Sequence, residues 1–412
     1  MKTIKSLVAC ALCLSALGVW AASAQAITSE WMIQSETLAE LGSAEKEVSL
    51  SGGPLTLSAA SLGLTIECKK AGGSGAIVKA GTERLKASMT ECQVVKVPAC
   101  KVAEPLLIEA KSELILVGES RYAKLVPLNA EKPFATITLT GAECGFAEKN
   151  ELKGSVAAEP SFDELVSQPL HLSELVSKTV NEGLAKEKAA ELSLKLGAAS
   201  ASLSGDLSSA LVGAEAGKEW VQVGLTRLCK AQLATCTEVQ TVKKGSTIKA
   251  ESEITTKFKY EKKGVPVSAT CTTSTMEGIT AVESGAPLTG LFTTATFGCG
   301  ACSASFEAGI MPLVFKFWAA NNGDGRLALW GTGGMVEINV VCNGITCVYG
   351  TRGLLFTVSG GTPAKFSRLT AVQLTMRGGS SGECSGNATW EGSLAMPLKY
   401  KFTTPGTMFV TG

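Results

Sequence analysis

The amino-acid sequence predicts an all-β protein of two antiparallel, sandwich-like domains stapled by disulfides. Glycine makes up 44 of the 412 residues, above the usual ~7%, and Gly-Gly, Ser-Gly and Asn-Gly recur as turn signals. Valine, isoleucine and threonine, which favour strands, are plentiful, whereas charged residues make up only 18% of the chain. Apolar and small polar residues alternate in several short segments, as they do in half-buried strands.

The N-terminal segment 1–26 predicts export from the cytoplasm. Lys2 and Lys5 precede an apolar run, and small residues follow it up to Ala26. This is the order of a secretory signal peptide that is cleaved near Ala26. No later stretch has the roughly 18 uninterrupted apolar residues of a membrane-spanning helix. We therefore expect a secreted, extracellular protein without a membrane span.

Alternating segments indicate strands in the N-terminal half, at 55–66, 106–117, 135–139 and 192–196. The segment 173–190 differs from them. Its apolar residues are three and four positions apart, which predicts one short amphipathic helix and no others.

A stretch rich in glycine and small residues, ending at Trp220, predicts a boundary between an N-terminal β domain at 27–220 and a C-terminal β domain at 221–412. Counted over these ranges, the net charges are −7 and +6. Opposite charges favour docking of the two halves or an anionic partner for the second half, although unrelated surfaces also explain the difference. Similar cysteine spacings in both halves make duplication a hypothesis that the sequence leaves open.

Cysteine usage agrees with export. Cys10 and Cys13 lie inside the predicted signal peptide, so 12 of the 14 cysteines remain, an even number that indicates disulfides. Short sequence separations predict three bonded pairs: Cys342 with Cys347, Cys92 with Cys100, and Cys229 with Cys236. The first pair has a further basis. A two-residue turn at Gly344 and Ile345 would place its cysteines on directly opposed strand positions.

Cys299 and Cys302, in the segment FGCGAC, form a Cys-x-x-Cys pair. In a thiol-disulfide oxidoreductase, the start of a helix usually lowers the pKa of the first thiol. The residues that follow Cys302 alternate in part and contain a proline, so no helix is predicted there. We expect both cysteines to form structural disulfides, with partners that the sequence does not identify.

A hairpin around NNGDGR, at 321–326, places Trp318, Trp330 and Lys316 on one strand face, with phenylalanines on the other. An exposed tryptophan pair of this kind can stack on a sugar ring or anchor a partner, which makes these residues a candidate ligand platform. Packing beneath a second sheet is the alternative.

Several chemistries are disfavoured by composition. His171 is the one histidine, so the commonest general base and nitrogen ligand for metals is scarce. We therefore assign no catalytic residue, metal site or cofactor. The net charge after cleavage is near zero, which gives no bias toward nucleic acid.

Seven lysines lie between positions 243 and 263. We expect them either to protect the edge of a sheet from pairing with another chain or to bind an anionic envelope polymer.

Four stretches carry a loose resemblance to a known group of proteins: LKGSVAAEP at 152–160, LSGDLSSALVGAEAGKEW at 203–220, GGTPAKF at 360–366, and YKFTTPGTMFV at 400–410. They resemble uncharacterised, secreted, cysteine-containing β-rich proteins of soil actinobacteria. The resemblance implies secretion and repeated β modules, and it implies no activity.

The sequence thus predicts a secreted or cell-surface, non-catalytic binding or structural module that contacts glycans or envelope polymers. One alternative is an extracellular hydrolase that uses unidentified glutamates. A second alternative is a thiol-disulfide oxidoreductase at Cys299 and Cys302. The ligand, the disulfide connectivity and the oligomeric state remain open.

Overall fold

The computed structural model describes residues 29–411 except 35, 43–44, 80, 118–119, 142–143, 147, 162–164, 188, 233–235, 238, 321–322, 332–333 and 393–396. The predicted signal peptide, with its cleavage site and its two cysteines, lies outside the described residues.

Strands dominate the described part of the N-terminal half, and one α-helix accompanies them. They are β1 (Ser29–Ile33), β2 (Glu36–Thr37), β3 (Glu45–Ala59), β4 (Leu64–Val78), β5 (Thr82–Val94), β6 (Lys101–Val102), β7 (Leu106–Val117), β8 (Ser120–Pro127), β9 (Ala135–Thr140), β10 (Lys149–Gly154), β11 (Val156–Pro160), β12 (Ser167–Leu172), α1 (Glu174–Lys186), β13 (Leu194–Leu196), β14 (Ala199–Leu211) and β15 (Trp220–Gly224).

The described part of the C-terminal half is built from strands as well. They are β16 (Thr226–Cys229), β17 (Thr247–Ser252), β18 (Thr256–Lys262), β19 (Val265–Cys271), β20 (Thr273–Thr280), β21 (Ser284–Gly285), β22 (Leu288–Gly298), β23 (Cys302–Phe306), β24 (Leu313–Ala319), β25 (Gly325–Trp330), β26 (Met335–Cys342), β27 (Ile345–Arg352), β28 (Leu354–Ser359), β29 (Lys365–Arg368), β30 (Val372–Met376), β31 (Cys384–Gly392), β32 (Leu398–Thr404) and β33 (Phe409–Thr411). Short 3₁₀ helices lie at Ala60–Leu62, Gly213–Glu215 and Ala308–Ile310.

Each half closes into an antiparallel barrel of eight strands. The first barrel has the order β3-β4-β5-β7-β8-β11-β12-β14, and β14 pairs back to β3. The second has the order β17-β20-β22-β24-β25-β28-β29-β32, and β32 pairs back to β17. The all-β prediction is confirmed, but the structure has barrels where the sequence predicted sandwiches. Strand alternation has the same two-residue period in both architectures, so it does not distinguish them.

The two barrels share one plan of additional strands. Extra elements follow the third, fifth and seventh strand of each barrel: β6, β9 with β10, and α1 with β13 in the first, and β23, β26 with β27, and β30 with β31 in the second. Leu106 and Leu313 each follow a proline and begin the fourth barrel strand. The second half has further strands, including β18 and β19. This common plan supports the hypothesis of two related halves.

The cores differ in their side chains. Leucine, alanine and valine fill most of the first barrel. Aromatic rings dominate the second, where Phe292, Phe315, Phe317, Phe366 and Phe402 are fully buried. A cavity of about 30 Å³ remains among the leucines of the first barrel. A space of this size holds one or two waters, so the first barrel is a packed core rather than a ligand chamber.

The helix α1 lies where the sequence predicts it. The Ser173 hydroxyl accepts a hydrogen bond from the Val176 amide at 3.1 Å and caps the N-terminus. Val176, Val180 and Leu184 are buried against the outside of the first barrel. Leu175, which the helical spacing also places with the apolar residues, is 72% exposed.

A small ribbon, β1 paired with β2 and β15, lies between the barrels. Trp31 and Trp220, whose ring centroids are 5.1 Å apart, pack toward the first barrel. Met32 and Val221, on the opposite face, pack on the second barrel. Alternating side chains of one strand pair therefore contribute to the surfaces of both barrels.

Candidate functional site

All eight cysteines named by the sequence form disulfides, but only one of the three predicted pairings is present. Cys229 pairs with Cys236, as predicted. The other five bonds are Cys68–Cys92, Cys100–Cys144, Cys271–Cys299, Cys302–Cys342 and Cys347–Cys384.

The predicted bond between Cys342 and Cys347 is wrong because the hairpin turns one residue earlier. Asn343 and Gly344 form the turn, both with positive φ, so Cys342 lies opposite Ile345. Asn-Gly is the preferred pair for such a turn. In this register Cys347 lies opposite Val340, so the two cysteines are diagonal neighbours on one face rather than directly opposed. On the other side of β26, Cys342 lies directly opposite Cys302 of β23 and bonds to it.

The predicted bond between Cys92 and Cys100 is also wrong. Cys92 is directly opposite Cys68 in the pairing of β4 and β5 and bonds to it. Cys100, eight residues further along, bonds Cys144 between β9 and β10. The pairing of neighbouring strands, rather than a short separation along the chain, therefore determines which cysteines bond.

Cys299 and Cys302 belong to two different disulfides, with Cys271 and Cys342. The Cys302 amide donates a hydrogen bond to the Cys299 carbonyl at 3.2 Å, so the pair forms a turn rather than the start of a helix. This arrangement bears out the expected structural role and provides no Cys-x-x-Cys dithiol.

The predicted ligand platform is buried, so it is not an exposed surface. Trp318, Trp330 and Lys316 are only 1%, 5% and 3% exposed. The two tryptophans do share one face, with Trp318 opposite Arg326 and Trp330 opposite Val314 in the pairing of β24 and β25. Asn321 of the predicted turn lies outside the described residues. The covering element is the β1–β15 ribbon, which is remote in sequence.

Lys316 takes part in the contact between the halves. Its ammonium group donates to the Glu40 carboxylate and lies 4.2 Å from the centroid of the Trp330 ring. Burial alone would raise the pKa of Glu40, but the adjacent Lys316 ammonium lowers it below its usual value. The residue thus joins the two halves and is unavailable to an external ligand.

Most lysines of the segment 243–263 are engaged in ion pairs. Strand β18, which carries several of these lysines, pairs with β19 on one side and β31 on the other. The predicted protection of a sheet edge is therefore wrong for this strand. Five of the lysines form ion pairs with glutamates: Lys243, Lys249, Lys259, Lys262 and Lys263.

An open concave feature lies on the first barrel, and we call it the lysine cleft. It has a volume of about 610 Å³. Strands β7 and β8, the turn after β8, and the junction of β10 and β11 form its walls. The lining residues are Lys111, Glu113, Lys124, Val126, Pro127, Ala130, Glu131, Lys132, Lys153, Gly154 and Ser155.

The cleft exists because the additional strands leave the barrel wall at this point. After Pro127 the chain turns outward, and the Asn129 side chain accepts a hydrogen bond from the Glu131 amide at 3.0 Å. At the return point, Gly154 has φ +114° and lies against the Ser193 carbonyl oxygen, where a Cβ atom would overlap that oxygen. Only glycine fits this position.

Positive charge exceeds negative charge in the cleft. Lys111 is paired with Glu113 at 2.7 Å, and Lys153 is paired with Glu151. Among the described residues, no ion pair involves Lys124 or Lys132. These two ammonium groups are therefore available to an anion from solvent.

The corresponding face of the second barrel is closed. There, the fourth and fifth barrel strands, β24 and β25, carry Trp318, Ala328 and Trp330, and the ribbon covers them. In the first barrel the same strands, β7 and β8, carry Lys111, Glu113, Lys124 and Val126 and face the open cleft. One barrel uses this face for internal packing, and the other leaves it charged and accessible.

The described residues place no catalytic constellation at the cleft. His171 lies on β12 and contacts Asp206 of β14, with Nδ1 and Oδ1 2.6 Å apart. Glu83, whose pKa burial raises to about 7, is only 3% exposed and lies inside the first barrel. The described residues contain no group of three or more histidine, cysteine, aspartate or glutamate side chains placed to hold a metal ion.

Comparison with protein-family models, curated proteins and solved structures gives no match. Among the described residues, no helix has the length and apolar character required to span a membrane.

Proposed function

We propose that this protein is an exported, non-catalytic binding module and that the lysine cleft holds an anionic polymer. The observation that carries the proposal is an open cleft of about 610 Å³ with two lysines, Lys124 and Lys132, that form no ion pair with any residue the structure describes. A concave surface with an excess of one charge raises the local concentration of oppositely charged ligands. Six disulfides agree with the oxidising compartment in which such a ligand would be met.

Binding is favoured over the two enzymatic alternatives. Hydrolysis through glutamates needs carboxyl groups that a substrate can reach, and the glutamate with the strongly raised pKa, Glu83, is enclosed in the first barrel. Thiol-disulfide exchange at Cys299 and Cys302 needs a dithiol, and the two residues have different partners.

The test compares two variants of the mature chain. Lys124→Gln with Lys132→Gln removes the two unpaired charges of the cleft without leaving a carboxylate unpaired. Lys69→Gln with Lys101→Gln removes the same charge from exposed positions that do not line the cleft. Binding of linear polyphosphate and of polyglutamate is measured by calorimetry.

We expect wild type to bind at least one of the two polymers and the cleft variant to bind it about tenfold more weakly, since each exposed charge pair contributes up to about 1 kcal/mol. The control variant should bind within about twofold of wild type, and about 1 M NaCl should abolish binding by screening. Failure of both polymers to bind, or equal weakening in both variants, contradicts the proposal.

A further inference from the structure

We infer that strand β1 is a strap that holds the linker between the two barrels in a β-strand and so fixes the barrels relative to each other, and that each barrel stays folded when the strap undocks. This inference concerns the joint between the halves, and it is independent of the ligand of the lysine cleft.

The linker is strand β15, and the strap pairs with it along its whole length. The chain passes from β14 of the first barrel through β15 to β16 of the second half. Strand β1 pairs with β15 from Ser29 opposite Gly224 to Ile33 opposite Trp220. On the other edge of β15, the described residues form an isolated bridge between Leu165 and Trp220. Most of the backbone pairing of the linker is therefore provided by a strand that is remote in sequence.

The strap packs on both barrels at once. Its successive side chains point to opposite faces of the ribbon. Trp31 and Ile33 are buried against the first barrel, and Met32, which lies between them in sequence, is fully buried against the second. The strap therefore cannot leave one barrel without leaving the other, and undocking removes packing from both in one step.

Polar contacts tie the segment that contains the strap to both barrels. On the first barrel, the Trp31 Nε1 atom donates a hydrogen bond to the Thr82 carbonyl at 3.1 Å. On the second barrel, Lys316 donates to the carboxylate of Glu40, which follows β2. Lys316 is only 3% exposed, so its ammonium group is shielded from water and its contact with a carboxylate matters. Loss of the strap would weaken both contacts together.

Each half has the means to stay folded without the strap. The interiors of the two barrels are separate clusters of buried side chains. Two of the six disulfides lie in the first half and four in the second, and none of these bonds joins the halves. A hydrogen bond from the Arg121 guanidinium to the Ala319 carbonyl, at 3.0 Å, also connects the barrels directly. It adds a single polar contact to the packing that the ribbon provides.

Native-state hydrogen–deuterium exchange of the wild-type chain in low denaturant tests the strap. We expect the amides of β1 and β15 to exchange together through one local opening, at least about tenfold faster than the most protected amides of β5 and β22. Exchange of β1 and β15 as slow as that of the two barrels would mean that they open only on global unfolding, which overturns the inference.

A variant of the full mature chain provides a second test. Met32→Asp places a carboxylate on the face that packs on the second barrel, which should undock the strap. Met376→Asp is the matched control, at a methionine of β30 that is 39% exposed. Lys218, just before β15, is the trypsin site next to the linker. We expect trypsin to cleave there at least about tenfold faster in Met32→Asp than in wild type or the control, and the two halves to persist as resistant fragments.

Three results of the second test overturn the inference. They are equal cleavage of wild type and a folded Met32→Asp variant, equal acceleration in the Met376→Asp control, and digestion of both halves as soon as the strap is undocked. If Met32→Asp does not fold, the exchange measurement on the wild-type chain decides alone.

Discussion

Buried polar side chains of the first barrel gather at the end that faces the ribbon. Glu83 points into the barrel opposite Ser112 of β7, and its Oε1 atom has no hydrogen-bond partner among the described residues. Close by, Trp31 Nε1 donates to the Thr82 carbonyl, and Gln222 donates to the Gly81 carbonyl. The ribbon thus contacts Gly81 and the first residue of β5, and the buried Glu83 carboxyl belongs to the next residue of that strand.

Glu83 makes stability depend on pH. Burial raises its folded-state pKa from 4.5 to about 7, so the folded group stays protonated while the unfolded group ionises. The free energy of unfolding should therefore fall by about 3 kcal/mol as pH rises from about 4.5 to about 7. Glu83→Gln should remove this loss and raise the stability at pH 8 by a similar amount. Urea unfolding at several pH values measures the effect.

The matched control for this prediction is Glu47→Gln, a change at an exposed glutamate of β3. It should retain the pH dependence of wild type. If the Glu83→Gln and Glu47→Gln variants show the same dependence of unfolding free energy on pH, burial of Glu83 does not control it.

At the level of elements, the backbone of α1 approaches the barrel closely at Gly183. Gly183 lies beside Val117 of β7, where a Cβ atom would fall far inside the contact distance of a Val117 methyl group. Alanine in place of glycine usually stabilises a helix by up to about 1 kcal/mol. Here the overlap should dominate, and Gly183→Ala should lower the free energy of unfolding by about 1–3 kcal/mol.

A double-mutant cycle checks this assignment. Val117→Ala removes the methyl groups, so Gly183→Ala should cost at least about 1 kcal/mol less in that background than in wild type. Gly378→Ala, at a glycine with open space around its Cβ position, should change stability by less than about 0.5 kcal/mol. If the effects of Gly183→Ala and Val117→Ala on the free energy of unfolding are additive, the contact between these two residues is not the cause of the destabilisation.

The sequence predicts a helix or strand well where the residues of that segment alone determine it. The helix at 173–190 was recognised from its spacing and has its cap at Ser173, and the alternation at 106–117 became β7 with the same bounds. The alternation in 55–66 predicts one strand, but the segment contains the end of β3, a 3₁₀ turn and the start of β4. Small residues there keep the alternation through the turn, so the pattern does not reveal the break.

Disulfide partners, burial and the cleft depend on contacts between distant segments, so local sequence patterns do not predict them. The partner of Cys302 is set by the pairing of β23 with β26, and the burial of Trp330 is set by an N-terminal strand almost 300 positions earlier. The lysine cleft collects residues from β7, β8 and β10, none of which forms a motif in the sequence. The scattered lysines within 111–153 are the one feature of the sequence that points to the cleft. Exposed lysines are too common in proteins for these to identify a site.

At the scale of the whole molecule, the two barrels share one plan of strands but use the corresponding outer face differently. Cys100–Cys144 joins the residue before β6 to the segment between β9 and β10, and Cys302–Cys342 joins the first residue of β23 to the last residue of β26. Cys68–Cys92 joins β4 to β5, and Cys271–Cys299 joins the end of β19 to the residue after β22. The second barrel uses its β24–β25 face to hold the ribbon. The first barrel leaves the matching face open, and this difference is the basis of the proposed division between a binding barrel and a packing barrel.

Hydrogen–deuterium exchange with and without saturating polyphosphate tests this division most directly, because it reports where a ligand lies on the intact protein. We predict that the ligand slows exchange at residues 128–132 and 154–155 around the cleft and leaves the lysine-rich segment 243–263 unchanged. Slowed exchange confined to 243–263, or bound polymer without any protection around the cleft, would contradict the account.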